Sequence, residues 1–463
     1  MLTGKPLNIA IIGGGASGAL TVIQLLQNIN FPVSIKLINK DQSIGRGFAY
    51  STNCPQHLLN VRTNNMSLFP DKPNHFIEWA KKNNIESLIE KSGLPLEDDF
   101  LPRMYYGDYI HDTLNEAISN KKPFIDFEIV QKEAFDMDAD NGSYTIKFTD
   151  QSETKADKVV LAIGNFLPTN IPIPNEAFYG SASYIRHPYD SNLLNAIKPD
   201  EEVLIIGTGL TSVDVVLQLK ANGIRGKITA ISRNGYLPHH HVEKVKHPVY
   251  IDGGANYSLH EALSVIRKEI KAAGSKGMHW PNVIDALRPF NQKLWIGFSD
   301  KDKKLFVRKL SPAWNISRHR MAGAIYNKIT ALLNSGNFEI VKGGLKNLTS
   351  ENGRVRVDLN TKDTAHSSIY VDRVINCSGP QTDYEKVEIP LLKNLVAKGI
   401  IGPDPLRLGI NATPDGAIIS RSGATSPTLF TLGPPLRGIL WESIAMPEIR
   451  EQAEKLALIL GRE

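Results

Sequence analysis

Two short runs, each an apolar strand that breaks into glycines and resumes as a helix, constrain this 463-residue chain more than anything else in it. In the first, Ile9–Ile12 is a continuous apolar stretch of the kind buried on both faces of a parallel sheet. Gly13-Gly14-Gly15-Ala16-Ser17-Gly18 follows and fits G-x-G-x-x-G, and Ala19, Val22, Ile23 and Leu26 then recur at helical spacing. Each glycine has its own reason. Gly13 permits the tight turn, Gly15 lets backbone approach a pyrophosphate, and Gly18 lets helix and strand pack closely. The helix start at Ala16 and Ser17 offers unpaired N–H groups and partial positive charge to phosphates. The next strand, Val33–Ile38, ends at Asn39, where a ribose-binding acid is usual; Asn39 can still bond a ribose hydroxyl, without charge.

The second run is Val203–Ile206 followed by Gly207-Thr208-Gly209-Leu210-Thr211-Ser212, with Val213, Val216 and Leu217 on one helical face. Ser212 stands where the third glycine would be. The strand after it ends in Ser232-Arg233 with no acid at its tip. An acid there binds the 2′-hydroxyl of NAD, whereas Arg233 can pair with the 2′-phosphate of NADP, so the pattern favours NADPH; the alternative is a solvated loop cation. Two dinucleotide sites in one chain have a simple chemical meaning, a nicotinamide giving hydride to a flavin.

Val159–Ile163 stops at Gly164, and Val374–Ser378 stops at Gly379. Each resembles the strand by which two-dinucleotide flavoproteins pass between domains, and one lies on either side of the second run. The predicted fold is therefore α/β, with two Rossmann-like dinucleotide-binding domains and the NADPH domain inserted into the FAD domain. Boundaries fall at 1–168 and 371–463 for the FAD domain and 169–370 for the NADPH domain, with an inserted region near 239–320. Near the end, Leu429–Leu432 reaches Gly433-Pro434, a segment that resembles the one by which two-dinucleotide flavoproteins bring backbone N–H groups to the flavin pyrimidine edge.

Composition narrows the class. With 41% apolar and 22% charged residues the chain is ordinary globular material. It has no apolar run long enough for a transmembrane helix, and Met1–Pro6 runs straight into a strand without a signal-peptide core, so a cytoplasmic protein is expected. Cys54 and Cys377 are the only cysteines and form no Cys-x-x-Cys, which argues against a disulfide framework and a redox dithiol. A net charge of +5, without a basic run interleaved with aromatics, suits phosphate-bearing cofactors or an acidic substrate better than nucleic acid.

Further segments carry a resemblance: I-G-R-G-F-A-Y-S-T at 44–52, H-L-L-N-V-R-T-N-N-M-S-L-F at 57–69, P-R-M-Y-Y-G-D-Y at 102–109, I-N-C-S-G-P at 375–380 and T-L-G-P-P-L-R-G at 431–438. Together with both glycine runs, the chain resembles the bacterial FAD/NAD(P)-binding proteins related to the N-hydroxylating, class B flavin monooxygenases. The resemblance implies that NADPH reduces FAD, that O₂ adds to give a flavin C4a-hydroperoxide, and that this oxygenates the nitrogen of a small amine or amino acid. It also implies that segment 57–69 faces the flavin ring, with Asn60, Arg62, Asn65 and Met66 as candidate catalytic residues, although Met66 suits a core equally well. Gly45 joins the cofactor-binding set, and Arg103 has two uses open to it, the FAD pyrophosphate or the protein surface.

Other clusters are less specific. His239-His240-His241 suits a loop near the NADPH phosphates better than a metal site, since three adjacent imidazoles rarely converge on one ion; no metal is expected. Arg318-His319-Arg320 can bind a substrate carboxylate or cofactor phosphate, or form a solvated helix face. Two other functions fit the same frame: an NAD(P)H dehydrogenase passing electrons to a quinone or protein acceptor, and a non-catalytic flavin-binding redox sensor. The intact glycine runs argue against the sensor. No membrane or nucleic-acid partner is expected, and an oligomer is compatible with the sequence.

Overall fold

A computed structural model describes residues 6–90, 92–140, 142–242, 245–362 and 367–462. Met1–Lys5 and, within the expected insertion, Glu243 and Lys244 lie outside the described residues.

The first domain opens with β1 (Leu7–Ile12), β2 (Val33–Asn39) and β3 (Ile125–Gln131), makes a separate antiparallel meander of β4 (Ala134–Asp140), β5 (Ser143–Phe148) and β6 (Glu153–Ala156), and returns to the sheet as β7 (Lys158–Leu161). The second contains β8 (Tyr184–Ile185), β9 (Val203–Ile206) and β10 (Ile228–Ser232). It continues through β11 (Phe338–Glu351), β12 (Arg354–Thr361) and β13 (Ser368–Val371), and ends on β14 (Arg373–Asn376). The chain then adds β15 (Ala417–Ile419) and β16 (Thr425–Thr431) to the first sheet.

Strand order states the nesting directly. The first sheet runs β15-β16-β7-β1-β2-β3 and the second β13-β12-β11-β10-β9-β14-β8, so a complete second sheet is threaded between β7 and β15. Within each, the strand before the glycines is central, flanked by parallel neighbours on both sides: β1 by β2 and β7, β9 by β10 and β14. That position explains the uninterrupted apolar sequences, because both faces are covered. Since β14 pairs with β9, the chain leaves the second domain at Cys377–Pro380 and not at residue 370.

The helix Ala16–Asn28 is buried from Ser17 to Leu26, wedged between its sheet, the helix Arg103–Ser119 and the C-terminal helix Met446–Leu460. Each fully buried leucine or isoleucine there is worth roughly 2 kcal/mol by removal from water. The C-terminal helix carries Pro447 in its first turn, where a missing N–H costs nothing.

Between β10 and the helix Gly323–Asn334 lies a helical insertion, whose longest helix, Leu259–Ser275, starts on a capping box of Ser258 and Glu261. It leans across to the first domain. Trp295 and Phe306 pack on Trp441, with ring centroids 4.9 and 5.0 Å away, and the Trp295 indole donates to the Gly438 carbonyl at 2.9 Å. No helix among the described residues is long and apolar enough to cross a membrane.

Candidate cofactor and substrate site

The two glycine turns are built alike. Gly13 and Gly207 have φ of 110° and 113°, and a Cβ on either would strike a backbone carbonyl at the end of the neighbouring strand, Ala162 in one domain and Cys377 in the other. A Cβ on Gly18 would strike the Gly13 carbonyl, so helix and turn touch there. Gly15 and Gly209 are the N-cap residues of Ala16–Asn28 and Leu210–Ala221, and no side chain caps either helix. The first-turn N–H groups of Ala16 and Ser17, and of Leu210 and Thr211, are thus left for an anion. Ser212, in the third-glycine position, is buried with its hydroxyl unpartnered.

Around the first turn the chain closes a cradle. Gly45, with φ 89°, donates its N–H to the Gly14 carbonyl at 2.8 Å. Gly433 donates to Gln452 Oε1 at 2.7 Å, and Pro434 opens the short turn Pro434–Leu436. A Cβ on Gly433 would come within 2.9 Å of Ser17 Oγ, which brings the last strand's end to the first helix's start. Gly164 and Gly379 sit after β7 and β14 with open space where a Cβ would be. Arg233 is exposed just past β10.

Several of the expected site residues have partners within the protein. Asn39 accepts from the Gly14 N–H at 2.9 Å and donates to the Asp41 carbonyl at 2.7 Å, so both ends of its amide brace the glycine turn before any ribose contact. Met66 is 2% exposed and packs within the first domain's core. Arg62 donates to the carbonyls of Asp98 and Val242 at 2.6 and 3.3 Å and lies over Phe100, tying loops together. Asn65 is half-buried in the turn Thr63–Asn65. Asn60, with Val61, does border a cleft, and its carbonyl is in contact with His241 Nε2 at 3.0 Å.

Arg103 is engaged within the protein. Its guanidinium meets Asp214 of the second domain's helix at 2.7 Å, and its Nε donates to the Leu58 carbonyl at 3.0 Å. Tyr189 donates to the same carboxylate at 2.7 Å, and His57 Nε2 lies 3.1 Å from the Asp214 carbonyl. Burial pushes the Tyr189 hydroxyl well above its ordinary pKa, with the Asp214 charge next in effect, so it stays a donor.

Residues 10–166 match a family model described as FAD-NAD(P)-binding. This part of the chain is similar to a FAD-NAD(P)-binding domain. The glycine cradle and uncapped helix suit the group, since a side chain at Gly13 or Gly18 would fill the space backbone needs. The whole fold is similar to ornithine N-hydroxylase from Kutzneria sp. 744, at 12% identity, TM-score 0.64 and 98% coverage of both chains. It is equally similar to L-lysine 6-monooxygenase from Pseudomonas syringae, at 13% identity, TM-score 0.65 and 98% coverage of both. Bacillithiol disulfide reductase from Staphylococcus aureus shares it too, at 13% identity and TM-score 0.55, over 99% of this chain and 98% of that one. No curated protein matches in sequence.

Where the helical insertion meets the C-terminal part of the first domain, a cleft opens beside Asn60 and Val61. Two ion pairs cross it. Arg318 holds Glu442 with both nitrogens, at 3.1 and 3.2 Å, and Arg288 holds Glu448 through one oxygen, at 2.8 and 3.0 Å. The Arg318-His319-Arg320 cluster is therefore no solvated face: Arg320 is 2% exposed and grips Asp285 at 2.9 and 3.0 Å. His319, on the cleft wall, is pushed down to about 4 by burial and by Arg318. The histidine triplet diverges, His239 toward Trp280, His240 toward Tyr326 and His241 toward Phe100. Among the described residues no cluster of three or more metal-type side chains exists. Glu442, Glu448, Arg288 and Arg437 escaped the sequence reading, although Arg437 lies within the T-L-G-P-P-L-R-G segment.

Proposed function

We propose that this chain is an NADPH-dependent FAD monooxygenase that oxygenates the nitrogen of a small amine or amino acid. The observation that carries the reading is the cleft: it lies between the segment holding Asn60 and the Arg437–Glu448 stretch that follows the Gly433 turn, and the inserted helices roof it. Bound in the first cradle, FAD would supply hydride acceptance from NADPH and activation of O₂. The chain's residues would do the rest. The Ala16 and Leu210 helix starts hold pyrophosphates, Arg233 holds the 2′-phosphate of NADP, and Trp314 and Trp441 wall the cleft against water. The interdomain contact of Arg103 with Asp214 keeps the two cofactor sites in register. A cytoplasmic location belongs to this reading because NADPH is the reductant.

The fold also serves reductases, so the decisive experiment separates oxygenation from simple electron transfer. The FAD-loaded protein is reduced with NADPH in a stopped-flow instrument and mixed with O₂. A transient absorbing species distinct from both reduced and oxidised flavin, persisting for seconds with NADP⁺ bound, is the expected result. Direct return to oxidised flavin would instead mark a dehydrogenase with another acceptor.

A further inference from the structure

The cleft carries an uneven charge. Its titratable lining is Arg288, Arg318, Arg437, His319, Glu442 and Glu448. Two arginines are matched to the two glutamates by the ion pairs above, and His319 is neutral near pH 7. Arg437 is left over. Its guanidinium lies over the Trp441 ring, 5.2 Å from the centroid, and no carboxylate or hydrogen-bond acceptor meets it among the described residues. Burial pushes its pKa down with nothing to offset the loss of water. A cation in that state is held ready for an anion, because the planar fork is already oriented by the indole and the desolvation is already incurred.

Unused acceptors share the same cleft. Glu448 spends only Oε1 on Arg288, and its Oε2 is buried without a partner. Asn315 Oδ1, on the opposite wall, is also buried and unpartnered. Together with Arg437 these are complementary to a molecule bearing one carboxylate and N–H donors.

We infer that Arg437 is a specificity-determining residue that takes the carboxylate of the substrate, so the cleft selects amino acids over the corresponding amines. This rests on the proposed monooxygenase reading for the reaction, though not for the anion contact. An anion could also come from a cofactor phosphate, and the test separates the two sources.

The test uses FAD-loaded wild type, Arg437→Gln and Arg437→Lys. Each is titrated with L-lysine and L-ornithine and with their decarboxylated counterparts, cadaverine and putrescine. Binding is read from the flavin difference spectrum, turnover from NADPH-driven hydroxylamine formation. Wild type should bind the amino acids at least tenfold more tightly than the diamines. Arg437→Gln should lose that preference with unchanged FAD content, and Arg437→Lys should keep part of it. Equal binding of both classes, binding of neither, or an intact preference in Arg437→Gln overturns the assignment. So does loss of FAD from Arg437→Gln, which would give the anion to the cofactor. An intact wild-type preference without hydroxylamine would sink the monooxygenase reading while leaving the anion site standing.

Discussion

Arg103, at the start of a helix in the first domain, is paired with Asp214, on the helix Leu210–Ala221 of the inserted domain, at 2.7 Å and with side chains only 12% and 7% exposed. A charge pair this dry is weak evidence for net stability, yet breaking it is costly because one ion stays buried alone. Replacing Arg103 with Ala, or Asp214 with Ala, should each cost about 3–5 kcal/mol in urea unfolding. The double variant should cost clearly less than the sum. Reduction of flavin by NADPH should also slow in each single variant. Losses under about 1 kcal/mol would show that water screens the pair.

The matched glycine turns predict separable losses. Gly13→Ala places a methyl against the Ala162 carbonyl at a φ of 110°, so the purified protein should lack FAD. Gly207→Ala does the same against Cys377 at a φ of 113°, so FAD should remain while the KM for NADPH rises at least tenfold. Flavin-to-protein absorbance ratios and NADPH kinetics decide both.

Arg233 is exposed at the tip of β10, free to meet a phosphate. Arg233→Ser should reduce the NADPH-over-NADH ratio of kcat/KM by roughly tenfold or more, the size of one charge-assisted contact. An unchanged ratio would assign the 2′-phosphate to another group.

Stability should depend on pH in a defined window. Burial is the first cause holding His241 and His319 at about 4, with Arg320 and Arg62 adding to it at His241 and the Asn60 carbonyl opposing. In the unfolded chain both return to about 6.5. Between those values the unfolded chain binds more protons, so stability is full above about 6.5 and falls as the pH drops towards 4. The slope is about 1.4 kcal/mol per pH unit for each histidine. Denaturant titrations from pH 7 to 5 should show it, and His319→Gln should lower the slope by its own share, about 1.4 kcal/mol per pH unit. A flat profile would mean these imidazoles are solvated.

The insertion of one dinucleotide domain in the other, the two turns and the central strands were legible because their constraints are local. A glycine required by a positive φ, or a helix start left uncapped, is written within six consecutive residues. Asn39 also braces Gly14 and Asp41, contacts around the glycine turn that sequence spacing does not reveal.

By itself the sequence determined the fold class, the cofactor class and where the glycine turns and their helix starts would lie, because strand apolarity and glycine placement are short-range physics. Only the tertiary structure decided the side chains of the interior. Arg103 finds Asp214 across 111 residues of chain and Arg62 finds Val242 across 180, so no local pattern could distinguish a domain latch from a ligand contact. The same holds for the cleft. Arg288 and Glu448 lie 160 residues apart, and only their pairing, with that of Arg318 and Glu442, leaves Arg437 as the unmatched cation. A long-range charge balance exists only once the chain has folded.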